Sequence, residues 1–126
     1  MIPARTLTLL AALVVGAIAL SAPSQAAPVK QAAPVKLTGT VGPGFTITLK
    51  RLTKKVISVK AGLYSIAVAD KSNIHNFHLI GPGVNKEITG IGFVGTKTVT
   101  VRLKKGTYRY VCDPHLTIMK GSFKAL

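Results

Sequence analysis

Acidic side chains are nearly absent from this 126-residue chain: Asp70, Glu87 and Asp113 stand against 17 lysines and arginines, for a formal net charge of +14. So one-sided a balance excludes ion pairing as a main support of the fold and surrounds the molecule with a positive field. There is one cysteine, Cys112, so no internal disulfide can form. Tryptophan is missing, and there are three histidines, His75, His78 and His115, too few to build a second metal centre beside a first. Beyond the N-terminal run, no stretch keeps a 3.6-residue apolar period over three turns, which excludes a helical bundle. Lysines outnumber arginines, and compact hydrated charges suit a diffuse field better than bidentate phosphate reading. With no basic helix and no interleaved aromatic platform, nucleic acid is not an expected partner.

What is present begins with an export pattern. Arg5 supplies a short positive region, residues 7–20 are apolar or Thr, and Ser24-Gln25-Ala26 offers small residues for cleavage. The run falls short of the about 20 residues of a comfortable membrane span, and no basic stop-transfer cluster follows. A signal peptide over residues 1–26 is expected, and with it a periplasmic, extracellular or cell-envelope location. Ala-Ala-Pro-Val-Lys then occurs at residues 26–30 and 32–36, too short for a repeat architecture and too Pro-rich for helix. Residues 27–36 read as an extended linker, and residues 37–126 as one domain. The surplus cations point to acidic redox proteins or an anionic envelope surface as partners, and a monomer is expected.

Within the domain the pattern is strand after strand. Residues 45–49 and 64–68 alternate apolar with polar, residues 56–59 are β-branched and short, and residues 77–79, 98–103, 108–112 and 121–126 continue the series. Gly42-Pro43-Gly44, Gly81-Pro82-Gly83 and Lys104-Lys105-Gly106 mark turns between them. Roughly seven to eight short strands at this spacing predict an all-β chain, a Greek-key β-sandwich or barrel.

The chemistry concentrates at residues 108–121. Cys112, His115 and Met119 place a thiolate, an imidazole and a thioether in one loop, a set that favours copper over magnesium, calcium or manganese. Zinc prefers more thiolates or three histidines and seldom uses Met. A Cys112–His115 nucleophilic dyad would leave Met119 idle and has no evident oxyanion donors. In an exported protein, metal ligation also occupies a thiol that would otherwise be open to oxidation. A trigonal copper site needs a second histidine. Side-chain alternation puts Tyr108, Tyr110 and Cys112 on one inward face, and His75 inward with Phe77 and Leu79. His78 falls on the opposite face as a surface or edge residue, so His75 is the expected ligand.

Two blocks resemble the cupredoxins, and within them the small plastocyanin-, pseudoazurin- and amicyanin-like blue copper proteins. Residues 106–121 resemble that family's Cys-x-Pro-His loop followed by Met and Gly, and residues 70–79 resemble the strand end with the first His followed by Asn. The resemblance implies His75, Cys112 and His115 as strong ligands, Met119 as the axial one, and Asn76 tying the ligand loops together. It implies a cupredoxin-like fold, one type 1 copper per chain and one-electron carriage rather than enzymatic catalysis. Three residues separate His115 from Met119, fewer than in a plastocyanin-like loop and more than in an amicyanin-like one. The alternative function is an envelope copper-binding protein that buffers or delivers the metal.

Overall fold

The computed structural model describes Pro3 and residues 11–126. Arg5 and the start of the apolar run, the first part of the expected signal peptide, lie outside the described residues. Residues 11–34 carry no regular secondary structure, and among the described residues no helix is long and apolar enough to cross a membrane. Residues Gln31–Leu126 form one compact unit.

That unit is all β apart from a single 3-10 turn. Its strands are β1 (Val35–Val41), β2 (Ile47–Arg51), β3 (Lys54–Lys55), β4 (Ser58–Val59), β5 (Gly62–Asp70), β6 (Phe77–Gly81), β7 (Val84–Thr89), β8 (Gly95–Leu103), β9 (Gly106–Val111) and β10 (Lys120–Ala125). They make two five-stranded sheets, in the orders β3-β2-β1-β5-β8 and β4-β10-β9-β6-β7. Both are mixed: β1 runs parallel to β5 and β4 parallel to β10, the other ladders being antiparallel. The result is an open sandwich, not a closed barrel.

Period-two patterning builds the core. Along β5, Tyr64, Ile66 and Val68 are buried while Ser65, Ala67 and Ala69 are part-exposed. Leu37, Leu49, Leu79, Leu103 and Phe123 meet them from the neighbouring strands. Two aromatic pairs stack in the second sheet, Phe77 with Tyr110 and Tyr108 with Phe123. Gly121 sits directly opposite Tyr110 in the β9–β10 ladder, and a side chain there would run into the Tyr110 ring. The glycine lets the ring lie flat beside the first residues of β10.

Three strands, β1, β3 and β7, are not among those read from the sequence. β1 takes Val35 and Lys36 from the segment read as linker, because both pair with β5. In β7 Asn85, Lys86 and Glu87 are exposed, the polar character of a sheet edge that discourages pairing with other chains.

Candidate metal centre

Strand register carries the donors to one end of the sandwich. Cys112 directly follows β9 and caps the 3-10 turn Asp113–His115, with Pro114 inside that turn. The turn closes by backbone bonds: the His115 N–H donates to the Cys112 carbonyl at 3.0 Å, and the Met119 N–H to the His115 carbonyl at 2.8 Å. The Cys112 N–H donates in turn to the Met119 carbonyl at 3.0 Å. Met119 therefore starts beside Cys112, and both side chains are fully buried.

His75 reaches the same place from the segment before β6. Its Nδ1 lies 3.1 Å from His115 Nδ1 and 3.7 Å from Cys112 Sγ, and His115 Nδ1 lies 3.5 Å from that sulfur. Metal–nitrogen bonds of about 2.0–2.1 Å and a metal–thiolate bond of about 2.3 Å, opened to angles of about 100–120°, require N···N near 3.1–3.6 Å and N···S near 3.3–3.8 Å. The three donors thus fit a single first-row ion. Their chemistry, two imidazoles with one thiolate, is that of a copper site.

Asn76, which alternation sets on the face opposite His75, is completely buried. Its Oδ1 accepts the Asp113 backbone N–H and its Nδ2 donates to Asp113 Oδ2, each at 2.7 Å. The pairing of β6 with β7 shifts between Phe77 and His78, which frees the strand's start from strict alternation. His78 is partly exposed and away from the donor cluster; its Nδ1 lies 2.9 Å from Asp113 Oδ2 and its Nε2 lies 2.6 Å from Asn85 Oδ1.

Phe45 was read as the start of a strand, and no role at the site was expected of it. It lies in the loop before β2, its ring edge-on to both His75 and His115 with centroids 5.5 and 4.9 Å away. Only the Gly42-Pro43-Gly44 turn ahead of it hints at a side chain displaced from the ladder. Phe45 is 56% exposed, and with Ile74, Leu116 and Ile118 it makes an open apolar surface around half-buried His115.

Burial raises the Cys112 thiol above its ordinary value of 9.0, against backbone hydrogen bonds that lower it; the charges of Asp113 and Asp70 add to the rise. At neutral pH the metal-free chain therefore holds a thiol, and metal entry must displace its proton. The unfolded chain ionises first as pH climbs. The neutral thiol's contribution to metal-free stability is thus complete below the unfolded value and disappears as pH passes through the folded one. The melting temperature of the metal-free protein should fall as pH rises past about 9, and Cys112→Ser should remove that part of the slope. Parallel slopes for both proteins would show that the thiol titrates alike folded and unfolded.

Comparison with known proteins places this geometry. No curated protein matches the chain by sequence. Among solved structures, reduced rusticyanin in solution superposes with a TM-score of 0.54 at 24% identity, covering 74% of this chain and 77% of that one. A crystal structure of reduced rusticyanin gives 0.55 at 24% identity, with 76% and 81% covered. A heme-copper terminal oxidase dimer gives 0.50 at 18% identity, with 72% and 63% covered. These likenesses concern the fold. Residues 41–125, from the end of β1 through β10, match the family of copper-binding proteins described as plastocyanin/azurin. The chain belongs to that family, the cupredoxins, and copper is its metal.

Proposed function

We propose that this chain is an exported, monomeric type 1 copper protein that carries single electrons. The strong ligands are His75 Nδ1, His115 Nδ1 and Cys112 Sγ, with the Met119 thioether as the weak axial donor. The observation that carries this reading is the convergence of those three donor atoms, all within 4.8 Å of one another, beneath an exposed apolar surface.

When bound, copper supplies a one-electron cycle between Cu(I) and Cu(II). The chain's part is to keep the donors still. β9 and the backbone-closed loop after it hold Cys112, His115 and Met119, while Asn76 fixes the neighbour of His75 to Asp113. His115 is the outermost of the three donors, and the apolar rim around it suits brief docking of a redox partner.

The test is direct. Cu(II) added to the purified protein should give an intense visible band and the small copper hyperfine splitting of a type 1 site by EPR. Stopped-flow mixing with one-electron reagents should cycle the colour without loss of metal. Leu116→Lys, which puts a hydrated charge into the docking rim, should slow transfer to a protein partner about tenfold, equivalent to about 1.4 kcal/mol, with the spectrum unchanged. A protein that exchanges electrons slowly but surrenders copper to a metal-free acceptor would instead be a copper buffer or delivery protein.

A further inference from the structure

The folded unit is electrically lopsided along its strands. All three acidic residues lie towards the copper end, where they offset Lys71, Lys97 and Lys120: Asp70 closes β5, Glu87 pairs with His78, and Asp113 follows Cys112. At that end Asp70 pairs with Gly95 and Val111 with Lys120; at the other, Gly62 pairs with Leu103 and Gly106 with Ala125. This far end holds the β2–β3 hairpin, the connection into β5 and the β8–β9 turn. Arg51, Lys54, Lys55, Lys60, Lys104 and Lys105 gather there with no Asp or Glu among them. The nine residues of β5 separate the two poles by roughly 30 Å.

The basic pole also carries aliphatic side chains held out into water. Leu52, at the tip of the β2–β3 hairpin, has φ 55° and is 91% exposed. The left-handed region suits Gly or Asn, and a leucine there gains no burial in return. Ile57, 75% exposed, shares with it a groove of about 330 Å³ flanked by Arg51, Lys54 and Lys55.

We propose that this pole docks on an anionic lipid surface. Leu52 and Ile57 enter the boundary between headgroups and acyl chains, and the surrounding cations lie against the headgroups. Charge complementarity sets the sign of the partner. The exposed aliphatics favour lipid, since an acidic protein or polysaccharide would answer the charge but offer Leu52 no apolar medium. The copper end exposes aliphatics too, but its lysines, Lys71, Lys97 and Lys120, are offset there by all three acidic residues, where anionic headgroups are a poorer match. β1 starts at the basic pole, Val35 pairing with Tyr64, so the chain enters the domain from the lipid side and the copper centre faces away. The proposal is independent of electron carriage, because it concerns residues remote from the donors. An acidic redox partner would be drawn first to this same pole, so steering and docking would use different faces.

The experiment is vesicle sedimentation of the copper-loaded protein from the exported fraction. Phosphatidylcholine vesicles are compared with vesicles containing about 30% phosphatidylglycerol, at low and high salt. The protein should bind the anionic vesicles, and salt should release it. Lys54→Glu with Lys55→Glu should weaken binding at least tenfold, and Leu52→Ser about tenfold, with the visible band intact in both. The chain has no tryptophan, so Leu52→Trp provides a single reporter. Its emission should shift to the blue on anionic vesicles, whereas that of Leu116→Trp at the copper pole should not. Equal partition of the original and variant proteins onto both vesicle types would overturn the proposal. So would vesicle binding that ignores Leu52→Ser with no shift at position 52, which would assign the pole to an acidic macromolecule.

Discussion

Cys112→Ser is expected to abolish the intense visible absorption of the Cu(II) protein while leaving the sandwich folded. The band of a type 1 site is a charge transfer from thiolate to copper, and Cys112 is the only thiol in the chain. Its sulfur sits 3.5 and 3.7 Å from the two Nδ1 atoms, the spacing of ligands on a shared ion. A serine hydroxyl at that point stays protonated at neutral pH and is a harder, shorter donor. The variant should keep two imidazoles and bind Cu(II) weakly, with a pale spectrum and a wide EPR splitting. Folding should survive, because the core strands contribute far more buried surface than one thiol, and the new hydroxyl has imidazole nitrogens within reach. The histidines give the internal control. His75→Ala should lose or transform the colour, whereas His78→Ala should keep it, since His78 bonds to Asp113 and Asn85 and not to the donor cluster. A blue Cys112→Ser protein would remove the thiolate from the site and the type 1 reading with it.

Why so much of this centre was legible is a matter of distance along the chain. Cys112, His115 and Met119 lie within eight consecutive residues of one closed loop, so their order alone announces a shared ligand. His75 needed only the assumption that it shares a face with Phe77 and Leu79, and the buried pattern of β6 provides that. Contacts made across the fold left no such trace. Phe45 touches rings 30 and 70 positions away, and nothing local distinguishes it from a strand residue. Alternation only set Asn76 opposite His75; that it ties the ligand loops came from the family resemblance, since a period-two rule cannot foresee a bond to Asp113, 37 residues on. β7 escaped because an edge strand with Asn, Lys and Glu looks like a loop. The lysine clusters were visible as runs, but only the strand register shows that they gather at the pole away from the copper.

Asn76→Ala should weaken both the fold and the hold on copper. The side chain makes two 2.7 Å bonds to Asp113, one accepting its backbone N–H and one donating to its carboxylate, and a longer 3.4 Å contact to Glu87. It is completely buried and is the direct neighbour of His75, so it ties the segment before β6 to the loop after β9. Removing it leaves the Asp113 N–H without a partner and deletes a charge-assisted bond, a loss of about 2–3 kcal/mol. Asp113 is partly exposed and His78 still binds its carboxylate, which keeps the loss from being larger. For a domain of this size that lowers the melting temperature of the metal-free protein by roughly 10–20 °C. With copper bound the metal itself bridges the two segments, so the affinity carries the remainder: dissociation should strengthen 10–100-fold, about the usual effect of losing a residue that supports a metal ligand. Asn76→Asp should do no better, because it sets a second carboxylate against that of Asp113. Calorimetry of the metal-free proteins and competition against a chelator separate the two effects. If the melting temperature falls but copper affinity does not, Asn76 supports the fold without positioning His75, and the ligand loops are held in place by the backbone bonds alone.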